Sequence, residues 1–203
     1  MFWEDEGYLL YKSNYSENAI IVEIFTLNHG KCSGIVYGGS SKSKKKIHQI
    51  GNKILVNWRS KGENKLGYFN IELLKAISPA FFDDKRKTIC ILAATSILKL
   101  LLPERQINKK IYTSFDKLLY HFNTDEWIKL YILWELSLIK ELGYEFDNLD
   151  GKISSIISNK NKVNKIHIKK ALAFNKDLLM DNLIIPNKLR FPLSRNILEK
   201  YFA

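Results

Sequence analysis

The imidazoles of this chain are His29, His48, His121 and His167, and its thiols are Cys32 and Cys90. A metal site needs such donors in clusters, and no histidine here stands at ligand spacing to another histidine or to a cysteine. The two cysteines lie far apart without a Cys-x-x-Cys partner, which argues against a disulfide framework or a cysteine-rich zinc site. Both read as small buried apolar residues in a reducing compartment. Asp83-Asp84 reads as a helix start rather than a metal pair. Gly38-Gly39-Ser40-Ser41-Lys42 looks superficially like a phosphate loop. It lacks the G-x-x-x-x-G-K-[ST] spacing and follows a strand without opening a helix. No catalytic residue, metal or cofactor is therefore assigned, and an enzyme is not expected.

The chemistry that remains is non-covalent. In Gly38–Lys46 the glycines permit a bend, and Lys42, Lys44, Lys45 and Lys46 project several cations that can track a phosphate backbone by counterion release. Arg59 and Lys61 extend this set. Tyr37 and Trp58, with Tyr68 and Phe69 nearby, can stack on unpaired bases. The same rings can instead fill a barrel, and the same lysines can merely solubilise a hairpin. A second basic set comprises Lys160, Lys162, Lys165, Lys169, Lys170, Lys188, Arg190 and Arg195. It can extend a DNA path, receive an acidic peptide, or form a solvated face.

The charge distribution supports placement by function. Of the formal net charge of +11, residues 1–79 carry +4 (11 basic, 7 acidic), residues 80–150 carry −1 (10 and 11) and residues 151–203 carry +8 (11 and 3). Lysine outnumbers arginine 27 to 5, so compositional bias also contributes to the total. A cationic surface favours a polyanionic partner. The acidic Met-Phe-Trp-Glu-Asp-Glu start is unlike a signal peptide, and Ile89–Leu102 is too short and too interrupted to span a bilayer. A soluble cytoplasmic protein is expected.

Two kinds of element must position these residues. Up to Pro79, short runs rich in Ile, Val, Tyr, Phe and Trp (Gly7–Lys12, Ala19–Thr26, Lys31–Tyr37, Lys53–Arg59, Leu66–Ile77) alternate with Gly, Asn and Ser turns. Five short strands in so few residues suit a closed barrel, OB-type first and SH3-like second. Beyond Phe81 the period is helical. Asp83-Asp84 caps a helix that Pro103 ends, Lys110–Phe122 forms a second, and Thr124 caps a third that ends at Gly143. Gly151–Lys165 reads as a loop or hairpin, and His167–Leu183 as a helix. A last helix starts with Pro192 as its first residue. The expected fold is α+β: a five-stranded OB-type β-barrel over residues 1–79, then a helical domain over 80–203.

The order of motifs resembles that of the DNA repair protein RecO family. Glu4-Asp5-Glu6-Gly7-Tyr8-Leu9-Leu10 is similar to its opening strand, Thr26-Leu27-Asn28-His29-Gly30-Lys31 to its T-x-x-H-G turn, and Gly38–Lys42 to its basic G-x-R/K loop. Gln49-Ile50-Gly51-Asn52 resembles its Q-P-G turn and Leu101–Arg105 its L-L-P-E helix end. Trp134–Tyr144 resembles its E-L-x-L-L-x-E-L-G helix, and Pro192-Leu193-Ser194-Arg195 its closing segment. The resemblance implies an OB-fold joined to helices in a recombination mediator. Such a mediator binds single- and double-stranded DNA, anneals strands, works with RecR, and helps load RecA on DNA coated by single-stranded DNA-binding protein (SSB), whose acidic C-terminal tail it contacts. It also implies a bacterial, nucleoid-associated location. Many members carry a zinc-binding cysteine cluster after the E-L-G helix. Phe146–Lys165 has no cysteine, so no zinc is expected. The rival readings are a basic OB-fold RNA-binding or ribosome-associated module, and an adaptor whose lysines are only solvated.

Overall fold

The computed structural model describes residues 1–39, 46–60, 62, 66–144 and 165–202. The β-branched and aromatic runs form β1 (Phe2–Ser16), β2 (Ala19–Thr26), β3 (Gly30–Tyr37), β4 (Lys53–Arg59) and β5 (Gly67–Lys75). Their order is β1-β2-β3-β5-β4, and β4 returns to β1 to close the barrel. This is the expected five-stranded OB-type barrel followed by helices. β1 runs well beyond the Gly7–Lys12 read from the sequence because it pairs twice. Its first half lies against β4 (Phe2↔Arg59 to Tyr8↔Lys53) and its second against β2 (Gly7↔Thr26 to Ser16↔Ala19). The acidic Glu4-Asp5-Glu6 hides that extension from a reading by apolar content.

Closure is uneven. The antiparallel pairs run along whole strands or, on β1, along half of the strand, whereas the parallel β3–β5 pair comprises only Gly34↔Gly67 and Ile35↔Tyr68. Glycines sit there for space: a Cβ on Gly67 would lie 2.1 Å from Trp58 Nε1, and one on Gly34 2.7 Å from the Phe69 ring. Trp58 and Phe69 thus point inward with Leu9, Val22, Ile24, Ile54 and Val56. Each such side chain stabilises the barrel by about 1.5–3 kcal/mol.

After a 3-10 turn at Ser78–Phe81, the Asp84 carboxylate accepts the backbone N–H groups of Arg86 (3.0 Å) and Lys87 (3.2 Å) and starts α1 (Lys85–Leu101). This helix packs on the barrel. Ile91 fills the space beside Gly51, the Lys31 ammonium donates to the Lys99 carbonyl at 2.7 Å, and Lys99 pairs with Glu23 at 3.2 Å. The compact units are accordingly Met1–Lys109 and Lys110–Ala203. The division at 79/80 follows the change of secondary structure; the compact units follow packing.

The second unit holds α2 (Lys109–Tyr120), α3 (Trp127–Glu141), α4 (Lys165–Leu179, continued by a π-turn over Met180–Ile184) and α5 (Leu193–Lys200). Three end signals read from the sequence resolve differently. Gly143 ends α3 with φ +96° and donates its N–H to the Lys140 carbonyl. Thr124 is not a cap: Glu126 holds the N-cap position of α3, and the Thr124 hydroxyl donates back to the His121 carbonyl at 2.9 Å. Pro192 is the N-cap of α5 rather than its first residue. The Gly151–Lys165 loop falls, except for Lys165, outside the described residues.

The centre of this unit is polar. Arg195, read from the sequence as part of a basic surface, is fully buried, and that assignment is corrected. Its guanidinium donates to Glu135 Oε1 (2.6 Å) and Oε2 (3.1 Å) and to the Leu172 carbonyl (2.7 Å). Tyr131 Oη also donates to Glu135 (2.6 Å), as does Asn175 Nδ2 (3.1 Å). Burial opposes the charge on Arg195, but Glu135, followed by Tyr131 and Glu199, outweighs it and holds the guanidinium above its ordinary range. The cluster ties α3, α4 and α5 together.

Candidate nucleic-acid interface

Strand alternation decides which of the candidate rings and cations reach solvent. Trp58 and Phe69 face the core, so their neighbours Arg59 and Tyr68 face outward. Trp58 is only 5% exposed, which removes it as an outer stacking ring. Tyr37, at the end of β3, is 60% exposed and lies with its ring centroid 5.7 Å from that of Tyr68. Arg59 is exposed, pairs with Tyr68 on one side and Phe2 on the other, and stands 5.3 Å from the centre of the exposed Phe2 ring. Phe2, Arg59, Tyr68 and Tyr37 thus form a row across β1, β4, β5 and β3. Neither Phe2 nor the full row is visible in the sequence, because it needs the β4 register to bring four distant positions side by side.

Lys46 is exposed, and the flanks of its segment are anchored. A ring nitrogen of the buried His48 meets the Gly39 carbonyl at 3.1 Å, and Asn52 Nδ2 donates to the Ile47 carbonyl at 3.1 Å. Lys42, Lys44, Lys45 and Lys61 lie outside the described residues. Of the second basic set, Lys165, Lys169 and Lys170 on α4, and Lys188 and Arg190 beyond it, are exposed, while Lys160 and Lys162 lie outside the described residues.

A second aromatic feature lies at the barrel mouth, on the inward positions adjacent to the row. Trp3 faces Trp58 across the β1–β4 register at 5.5 Å and 18°, and on His29 it stacks at 4.0 Å and 7°. His29 is fixed by the Asn28-His29-Gly30 turn. Buried Asp5 accepts the Asn28 N–H (2.7 Å) and Asn28 Nδ2 (3.0 Å), and meets His29 Nδ1 at 3.0 Å. Thr26 Oγ1 accepts the His29 N–H and donates to the Gly30 carbonyl. The opening strand and the T-x-x-H-G turn, read as separate motifs, are one hydrogen-bonded assembly.

The chain after α1 completes this mouth. Arg105 takes φ +59°, its N–H donates to the Lys31 carbonyl at 2.7 Å, and its exposed guanidinium lies 5.8 Å from the centre of the Trp58 ring. Glu104 bridges to Lys31 in parallel register and accepts the Ser33 hydroxyl at 2.8 Å. A cleft of about 440 Å³ results, walled by Trp3, His29, Cys32, Trp58 and Arg105 with Asn28 at its edge. By sequence Leu101–Arg105 reads only as a helix end, because a left-handed arginine leaves no compositional signal.

Burial, and then the Glu104 carboxylate, push the Cys32 thiol from its ordinary 9.0 up to about 12. At pH 8 iodoacetamide should therefore label native Cys32 at least about a hundredfold more slowly than the urea-unfolded chain, because the thiolate is the nucleophile. Timed quenching and peptide mass spectrometry measure this, and comparable rates would place the thiol in solvent. Among the described residues no group of three His, Cys, Asp or Glu side chains is placed to hold a metal, and no helix is long and apolar enough to cross a membrane.

Residues 1–77 match the family described as "Recombination protein O N terminal", and residues 83–148 match "Recombination protein O C terminal". The chain is similar to the DNA repair protein RecO of Roseobacter denitrificans, 33% identical over 145 residues, which are 71% of this chain and 60% of that protein. Its similarity to the DNA repair protein RecO of Ehrlichia chaffeensis is 36% identity over 151 residues, 72% of this chain and 60% of the relative. With that of Wolbachia pipientis subsp. Culex pipiens it is 33% over 149 residues, 72% and 61%. The chain spans about three-fifths of the length of these curated relatives. The second family match stops before α4 and α5.

Proposed function

Because this chain belongs to the RecO family of DNA repair proteins, we propose that it is a non-enzymatic recombination mediator that binds single- and double-stranded DNA and anneals complementary strands. The observation that carries the reading is the outward row of Phe2, Arg59, Tyr68 and Tyr37. Flat rings interleaved with a cation suit unpaired bases and the phosphates that join them. Annealing requires no bond chemistry. It requires a cationic surface that screens two backbones from each other while bases stay free to pair. The lysine-rich segment Lys42–Lys46 and Lys61 bring five cations to the barrel half of the sequence, which suits that requirement.

Family membership further supports cooperation with RecR and help in loading RecA on SSB-coated DNA. For the acidic C-terminal tail of SSB, the segment after α4 offers fitting chemistry. Ile185, Leu189 and Leu193 are exposed, and Lys188 and Arg190 are exposed between them. Exposed apolar side chains interspersed with cations along one segment suit an acidic peptide carrying an apolar end.

The test is binding and annealing across a salt series, with and without SSB. Tyr37→Ala with Tyr68→Ala should weaken single-stranded DNA binding by about one to two orders of magnitude and leave the salt slope unchanged. Lys42, Lys44, Lys45 and Lys46 changed to Glu should instead flatten that slope, by about one unit for each phosphate that is no longer neutralised. Wild-type affinity in both variants, with unchanged melting, would remove this face from the mechanism. Equal or tighter RNA binding at matched salt, without strand annealing, would favour the RNA-binding alternative.

A further inference from the structure

We propose that the cleft at the barrel mouth takes one unstacked nucleobase of a bound single strand, laid on the Trp3–His29 stack and covered by the Arg105 guanidinium. This rests on the DNA-binding reading above and adds to it a pocket distinct from the outer row.

The size fits: about 440 Å³ is within the range of small-ligand sites and accommodates a nucleoside. The wall geometry points to a flat occupant. Trp3 lies within 7° of parallel to His29 and 18° to Trp58. A further planar ring continues that stack, whereas an aliphatic side chain has no use for parallel walls. Trp58 is buried, but His29 keeps 34% of its side-chain surface, so the stack ends on an accessible ring.

Arg105 supplies the second face and the charge. An arginine holds a left-handed φ of +59° only against a steric penalty, and such residues concentrate where a side chain must be aimed. Here the backbone is pinned by the Lys31 carbonyl and the Glu104 bridge, and the guanidinium stands at the cleft wall, 5.8 Å from the centre of the Trp58 ring. Its plane can lie on a base while its edge donates to a phosphate.

Continuity with the outer row completes the argument. Phe2 and Trp3 are successive residues of β1, Trp58 and Arg59 of β4, and the strands pair Phe2↔Arg59 and Trp3↔Trp58. The outer row and the cleft are therefore the two faces of one short ribbon. A strand lying along the row needs only to turn one nucleotide over the ribbon's edge to reach the cleft.

The experiment is photocrosslinking of the full chain to a 15-nucleotide oligo-dT carrying one 5-iodo-2′-deoxyuridine, followed by peptide mass spectrometry. Crosslinks at Trp3 or His29 are expected. Arg105→Gly should reduce them at least about fivefold. Glycine adopts the same φ without penalty, so melting should be preserved, and binding carried by the outer row should fall by less than about threefold. Failure of the wild-type chain to bind the oligonucleotide would sink the DNA-binding reading and this one with it. Binding with crosslinks confined to Tyr37, Tyr68 or the lysines, with no crosslinks, or with Trp3 and His29 crosslinks indifferent to Arg105→Gly, would overturn the cleft alone.

Discussion

Arg195→Met should destabilise the helical unit by about 3–5 kcal/mol, the range for breaking a fully buried ion pair. Both side chains are fully buried, so the variant leaves the Glu135 carboxylate in the interior with its principal countercharge gone. The Leu172 carbonyl also loses its guanidinium donor. Methionine keeps the arginine's apolar stem but is shorter by the guanidinium head, so a small cavity adds to the loss of charge and hydrogen bonding. Against total stabilities of about 5–15 kcal/mol, such a loss is a large fraction. Urea denaturation followed by far-UV circular dichroism measures it. The double variant Arg195→Met with Glu135→Leu should recover most of the loss, since removing both charges removes the stranded one. A single-variant cost below about 1 kcal/mol, or strictly additive effects, would mean that the pair does not hold α3, α4 and α5 together.

Gly30→Ala should cost the barrel unit about 2–4 kcal/mol. The residue has φ +71°, which alone carries about 1–2 kcal/mol for an L-residue with a side chain. The new Cβ would also lie 2.2 Å from the Gln106 carbonyl oxygen, a backbone atom that cannot rotate away. Relief requires the segment after α1 to lift off β3, with loss of the Arg105 N–H bond and the Lys31–Glu104 bridge. The near-ultraviolet dichroism of Trp3 and Trp58 should change with it, while the helical far-ultraviolet signal persists. Unaltered near-ultraviolet spectra and melting would show that the segment is not seated on Gly30.

Much of the fold was legible in the sequence, and for identifiable reasons. β2 and β4 are built around Ile, Val, Phe and Trp, and the limits read from the sequence coincide with the elements. Asp84 announced α1 because a carboxylate before a helical period has one economical use. The site was less legible. Trp58 and Arg59 are adjacent and of binding-competent types, yet period-2 alternation sends one into the core and the other to solvent. Arg195 stood among exposed cations in a lysine-rich region. Its different fate depends on Glu135, sixty positions earlier, and no local pattern reports that pairing. Arg105 was unreadable for another reason: its role comes from a backbone angle.

The short parallel pairing of β3 with β5 has a thermodynamic consequence. A ring of strands opens at the join that the fewest interactions hold, and here that join is Gly34↔Gly67 and Ile35↔Tyr68. Tyr37 and Tyr68 stand on its opposite sides. Any rigid ligand bridging them acts as a clasp, so its affinity and the free energy of opening the ring become one linked quantity. Ligand raises the opening free energy by RT ln(1 + [L]/Kd), and spontaneous opening lowers affinity by the fraction of molecules that are open. Occupancy and barrel integrity then report on each other, and a change that loosens the join weakens binding without touching any residue that meets the ligand.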